Sequence, residues 1–289
     1  SCLFRSCLPA WNDKNLHRIS AKIESSLVFA HVRAASLGSI ISQPNCHPFV
    51  IGKYTFMHNG GIGSFSKLKK HIVMQLSADI YKNIQGTTDS EHAFMMFLNH
   101  LPTKKRVSDS SSYEDPQILL QALKKTVANI LYLQKKLKVD AESTLNFAVS
   151  DGNTTLVSRI YLSNEDATGT APDSEKKESD DQQNEKSKAA SLYFSCGAMW
   201  AKCSDNEYRM RHTNMNEDVV IIASERLSMC HEDWVEVPHN HIVIVSNKTN
   251  VLLFPINVQK ELKKFEKEMR MNQAIQQSAK STVNNDDAK

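Results

Sequence analysis

The sequence predicts a mixed α+β protein, and three observations lead to it. Apolar residues recur at helical spacing in one block, over 65–72, 92–101 and 117–137. Short apolar, β-branched runs follow at 145–149, 155–160, 191–195, 219–223, 242–245 and 251–255. Strand-like runs also precede the helical block at 2–5, 27–32 and 54–57, so helices lie between two groups of strands. At 289 residues and 40% hydrophobic content, the chain is long enough to bury a large core.

Each element has a local reason. Cys2-Leu3-Phe4-Arg5 reads as an apolar strand, and Leu16, Ile19 and Ile23 share one face of a helix over 12–24. The strand 27–32 ends on Arg33. Asn45-Cys46-His47-Pro48-Phe49 reads as a loop, because Pro48 keeps His47 out of helical geometry. Tyr54-Thr55-Phe56-Met57 reads as a strand that enters a tight turn at His58-Asn59-Gly60-Gly61, where Asn and Gly tolerate positive φ. Ser64 is placed to cap the helix marked by Phe65, Leu68 and Ile72. Thr88 and Glu91 form a capping box ahead of the apolar helix 92–101, with Asp89 where the helix dipole favours an acid. The run 163–188 is Asp, Glu, Lys, Ser and Gln with almost no apolar residue, and is expected as a disordered loop inside one domain of residues 1–256. Val258, Leu262, Phe265 and Met269 mark an amphipathic helix over 257–275, expected to dock on that domain, with a disordered tail over 276–289.

Composition excludes several classes of function. The formal net charge is only +3. The lysines at 67, 69, 70 and at 135, 136, 138 lie on helical patterns without interleaved aromatics, so no nucleic-acid partner is expected. No apolar run approaches a membrane span and the start lacks a secretory signal, so neither a membrane nor export is expected. Six scattered cysteines without Cys-x-x-Cys spacing argue against a zinc site and for reduced thiols in a cytoplasmic setting. His239 and His241 alone are weak evidence for metal. No metal or cofactor is expected.

Four clusters carry chemistry. A strand-end arginine, Arg33, is usually a solvated charge, but its planar fork suits a carboxylate. A strand ending in Asn59-Gly60 presents a carboxamide and a bare backbone N–H, two neutral donors that could share one developing negative charge. In order, His31-Val32-Arg33-Ala34-Ala35-Ser36, Asn45-Cys46-His47-Pro48-Phe49, His58-Asn59-Gly60-Gly61 and Thr88-Asp89-Ser90-Glu91 resemble the motifs of class-II glutamine amidotransferases, which are N-terminal-nucleophile hydrolases. Later segments, including 145–152, Phe194-Ser195-Cys196-Gly197, Ala223-Ser224-Glu225 and Asp233-Trp234-Val235, resemble the branch that holds the amidotransferase-like subunit of the fungal glutathione-degrading DUG complex.

The resemblance implies a four-layer α-β-β-α sandwich and attack by an N-terminal Cys thiolate on a γ-glutamyl amide. It implies an oxyanion hole at Asn59 and Gly60. Arg33 would hold the substrate α-carboxylate and Asp89 its α-ammonium, while Ser36, His47, His58 and His31 shape the pocket without transferring protons. It further implies glutathione degradation beside a metallopeptidase-like partner. Two departures qualify this. Cys2 follows Ser1, so its amine is in a peptide bond, and it stands too few residues before Arg33 to match the family nucleophile. The chain is therefore read as amino-terminally truncated, without the nucleophile, inactive and poorly stable by itself. Ala34-Ala35-Ser36-Leu37 replaces the Trp and His of better-studied synthases and points to the hydrolase branch. The alternative is a non-catalytic γ-glutamyl-binding or scaffolding subunit.

Overall fold

Residues 2–33, 40–102, 113–139, 141–163, 166, 190–203, 207–211, 219–246 and 250–286 are described by the structure, a computed structural model, with backbone only from 276. In chain order the elements are α1 (Lys14–Ser20), β1 (Phe49–Ile51), β2 (Tyr54–Gly61), α2 (Phe65–Val73), α3 (Ala78–Tyr81), α4 (Asp89–His100), α5 (Pro116–Lys136), β3 (Ser143–Ser150), β4 (Thr155–Arg159), β5 (Tyr161–Leu162), β6 (Tyr193–Gly197), β7 (Met199–Lys202), β8 (Tyr208–Arg211), β9 (Val219–Ala223), β10 (Val235–Glu236), β11 (His241–Ser246), β12 (Asn250–Pro255) and α6 (Val258–Asp286).

The centre is a seven-stranded sheet in the order β1-β2-β3-β4-β11-β12, with β5 on β3, and all its pairings are antiparallel. Period-two alternation gives it two apolar faces. Tyr54, Phe56, Phe147, Val149, Leu156, Ile242 and Ile244 point into the main core, against α2, α4, α5 and α6. Val157, Val243, Ala148 and Val245 point the other way, where they meet Leu192, Phe194, Ile222 and Val237 around the second sheet, β10-β6-β9. The described residues thus stack as helix, sheet, sheet, the order of an α-β-β-α sandwich.

The helical layer is closed by α6. Its Val258, Leu262 and Phe265 are buried, and Glu261 meets Lys124 of α5 at 3.2 Å. Lys124 also lies 4.5 Å from the centre of the Phe254 ring, so its stem covers apolar surface while its head is paired. The backbone of α6 continues past 275 to Asp286.

Several expectations are corrected. The runs 2–5 and 27–32 are not strands. Leu3, Leu27, Val28 and Val32 are exposed and no strand among the described residues pairs with them, and an apolar run without a partner gains no ladder. The helix over 12–24 is shorter, with Asp13 capping it through Asn15 N and Leu16 N, both at 3.0 Å. Asn59-Gly60-Gly61 is the end of β2, not a turn, and pairs with Asn146, Leu145 and Thr144. The turn comes later, at Gly63-Ser64. Ser64 stands at the cap position of α2 in left-handed geometry, and its hydroxyl makes no capping bond. β1, β5, β7, β8 and β10 were not foreseen; they have two to four residues each, too short for a period. The disordered loop expected over 163–188 lies almost wholly outside the described residues.

Candidate active site

The site is built on the last residues of β2 and the first turn of α4. Alternation sends His58 into the helical core and Asn59 to the opposite face. His58 is 2% exposed, with its ring 4.7 Å from that of Phe147. Its Nε2 lies 2.9 Å from the Thr144 carbonyl and its Nδ1 3.1 Å from Ser90 Oγ. A carbonyl only accepts, so Nε2 carries a proton, while Ser90 Oγ lies within hydrogen-bond reach of both His58 Nδ1 and Asp89 Oδ1, the latter at 3.3 Å. Burial holds the His58 pKa below its usual value, against the pull of Asp89 and the Thr144 carbonyl.

Asp89 joins helix to strand. Its Oδ2 accepts from Ile62 N at 2.8 Å, just past the end of β2, and its Oδ1 accepts from Ser90 N at 2.8 Å. Two backbone donors leave lone pairs on the carboxylate for a further cation. Thr88 caps α4 as expected, accepting from Glu91 N at 3.2 Å. Glu91 does not return the bond to the cap. It reaches the loop before it, accepting from Gln85 N at 2.7 Å and Gly86 N at 2.8 Å.

Asn59 and Gly60 are exposed at the strand end. Gly60 has φ +143°, and a Cβ there would run into the Thr144 carbonyl oxygen, so β3 passes too close for any side chain. The Asn59 carboxamide stands on the same face as Asn146, its partner on β3. Asn146 is held by bonds from Nδ2 to Ala190 O and Ser191 O, both at 3.2 Å.

The segment carrying Arg33 is tied to this strand end by His31. Its Nε2 donates to the His58 carbonyl at 3.2 Å, and its ring lies 4.1 Å from that of His47. His47 is sandwiched between His31 and Phe49, whose ring centre is 4.8 Å away. It is 8% exposed, and neither ring nitrogen has a hydrogen-bond partner among the described residues. Burial, with the electrostatics of His31, His58 and Arg33 in support, pushes its pKa down to about 2. Arg33 is itself exposed and close enough to bear on His31, His47 and Cys46.

The structure therefore links His47, His31, His58, Ser90 and Asp89 by successive contacts, with the exposed Arg33 two residues after His31 and with Asn59 and Gly60 following His58 on the strand. Ser36 lies outside the described residues. Among those described, no three His, Cys, Asp or Glu side chains converge as a metal group. Sequence reasoning quoted Asn45 but gave it no part. It clamps the site's outer loop, with Oδ1 accepting from Thr87 N at 2.8 Å and Nδ2 donating to Ile40 O at 2.9 Å. Ser90 and Thr144 were also missed. The position of Ser90, one residue after Asp89 in the same motif, was the available signal, whereas Thr144 acts through its carbonyl and left none.

Comparison with known proteins gives the family and the fold. The family described as "Glutamine amidotransferases class-II" matches residues 13–161, just over half of the chain and inclusive of every site residue above. Over 264 residues the chain is 38% identical to the "Probable glutamine amidotransferase DUG3" of Saccharomyces cerevisiae, which covers 88% of this chain and 66% of the yeast protein. The chain thus spans about two thirds of that relative's length. A solved glutamine aminotransferase class-II domain protein from Silicibacter pomeroyi overlays with a TM-score of 0.54 at 21% identity, over 88% of this chain and 86% of that one, and shares the fold. On the matched span, the chain belongs to the class-II glutamine amidotransferase family.

Proposed function

We propose that this domain hydrolyses γ-glutamyl amide bonds, in glutamine or glutathione-type substrates, and serves glutathione degradation in the cytoplasm beside a metallopeptidase-like partner. The observation that carries the reading is the path from Arg33 through His31 and His58 to Asp89, with the two neutral donors on the same strand. An exposed cation and an anion oriented by two backbone donors, carried on one framework, suit a small molecule that bears both a carboxylate and an ammonium. Arg33 takes the α-carboxylate as a bidentate pair. Asp89, already oriented by Ile62 N and Ser90 N, takes the α-ammonium.

With the amino-acid head so held, the γ-carbonyl lies toward the β2 end. Asn59 Nδ2 and the Gly60 N–H receive the oxyanion formed when a thiolate adds to that carbonyl. The thiolate is the family's N-terminal Cys. Cys2 is not assigned that part, because its nitrogen is acylated by Ser1. His31, His47 and His58, each kept neutral by burial, order the pocket without adding positive charge beside Arg33.

The test measures glutamate released from glutathione and from glutamine by the protein of the complete reading frame, with and without a co-purified peptidase-like subunit. Release that falls sharply in both Arg33→Lys and Asp89→Asn is expected. No release under either condition, or release untouched by both substitutions, overturns the reading. Substrate binding without turnover would instead favour a non-catalytic γ-glutamyl-binding subunit.

A further inference from the structure

Two thiols beside the site have no part in this chemistry. Cys46 precedes His47 on the outer loop, and the chain at 5–7 lies against it. Cys46 Sγ donates weakly to Ser6 O at 3.5 Å and Ser42 O at 3.4 Å, and Gln43 Nε2 donates to Arg5 O at 2.9 Å. The Ser6 hydroxyl accepts from Leu8 N at 3.1 Å, bending the chain at Cys7. The Cys46 sulfur thus lies against the peptide that joins Ser6 to Cys7, which sets the two cysteines side by side across about forty residues of sequence, close enough for Cys7 to bear on the Cys46 thiol. Cys7 is exposed, Cys46 half-buried, and neither is in a disulfide.

We propose that Cys7 and Cys46 form a reversible dithiol–disulfide site, oxidised by low-molecular-weight disulfides of the glutathione disulfide class. The proposal is independent of the γ-glutamyl reading. The exposed Cys7 meets the reagent first, and its thiolate attacks one sulfur of RSSR and expels RS⁻. The Cys46 sulfur, losing its proton, then attacks Cys7 Sγ and expels the second RS⁻. Two protein thiols are oxidised to one disulfide, and RSSR is reduced to two RSH with the two protons released. Burial and the neighbouring Cys7 raise the Cys46 thiol pKa, while Arg5 and Arg33 oppose the rise and favour its thiolate. The bond joins the segment at 5–7 to the loop that carries His47, so the oxidation state is written into the wall of the site.

The experiment treats the 289-residue chain with oxidised glutathione and maps disulfides by tryptic peptides. Cleavage after Arg5, Lys14, Arg33 and Lys53 gives peptides 6–14 and 34–53, each with one cysteine. The expected product is 6–14 linked to 34–53, at least tenfold over any other pair, reversed by a dithiol and abolished in Cys7→Ser and in Cys46→Ser. Cys196→Ser and Cys230→Ser form it unchanged, and urea removes the preference. Glutathione adducts on Cys7 without the linked peptide, or equal scrambling among all six cysteines in native buffer, overturn the proposal.

Discussion

Lowering the pH should destabilise this fold through His47, and the size of the effect follows from its surroundings. An unfolded imidazole titrates near 6.5, whereas His47 between His31 and Phe49 is pushed down to about 2. A histidine depressed in the folded state contributes its full stability above the unfolded value and loses it as the pH falls toward the folded one. Across that window the loss approaches about 1.4 kcal/mol per pH unit. Between pH 7 and pH 5 the unfolded ring goes from about three-quarters neutral to about 3% neutral, which amounts to roughly 2 kcal/mol. His58 and His31, also depressed by burial, act in the same direction. A domain has only about 5–15 kcal/mol in all, so the change is large. The assay is urea unfolding at pH 7, 6 and 5 for the parent and for His47→Phe, which keeps a ring in the stack and removes the titrating group. The parent should lose about 2 kcal/mol more than the variant between pH 7 and 5. Equal slopes, within about 0.5 kcal/mol, would show that His47 is protonated as readily in the fold as outside it.

Three further outcomes can be checked. Gly60→Ala forces a side chain onto the Thr144 carbonyl at φ +143°, and should cost at least about 2 kcal/mol in urea unfolding; a loss below about 0.5 kcal/mol contradicts the close approach of β3. Asn59→Ala leaves an exposed strand end intact, so stability should hold while kcat for glutamate release falls on the order of a hundred- to a thousand-fold; a kcat within about threefold removes Asn59 from the oxyanion site. Glu261→Gln leaves Lys124 buried without its carboxylate and should destabilise by roughly 3 kcal/mol, read as a shift in urea midpoint, and no shift would mean that α6 is not latched there.

Period and punctuation carried most of the architecture. The strands β3, β4, β6, β9, β11 and β12 and the helix α5 fall within a few residues of where alternation and helical spacing put them, because buried faces on a sheet or helix must repeat. The failures have physical reasons. The segments 2–5 and 27–32 have strand composition, but pairing is a property of neighbours, and apolar residues alone do not supply one. Asn59-Gly60 looked like a turn because Gly was read for its conformational freedom, whereas Gly60 is needed for the space it does not fill. At the site, motif chemistry singled out Arg33, Asn59, Gly60 and Asp89 as candidates. It could not show that His31 would bond the carbonyl of His58, since that contact is through backbone and spans 27 residues. The placement of Asn45 against Thr87 was hidden for the same reason, because its partners are peptide groups that every sequence has.

Adjacent positions on one ribbon, His58 and Asn59, answer to opposite demands, one to oil and one to water. Deleting or inserting a single residue between Phe56 and His58 would exchange them, sending an amide into grease and an imidazole to the exposed face. Length here is consequently as rigid a requirement as identity. Descendants of this gene can swap side chains at the rim, yet a frame-preserving slip of one codon at that point would undo both the packing of His58 and the presentation of Asn59 in a single event.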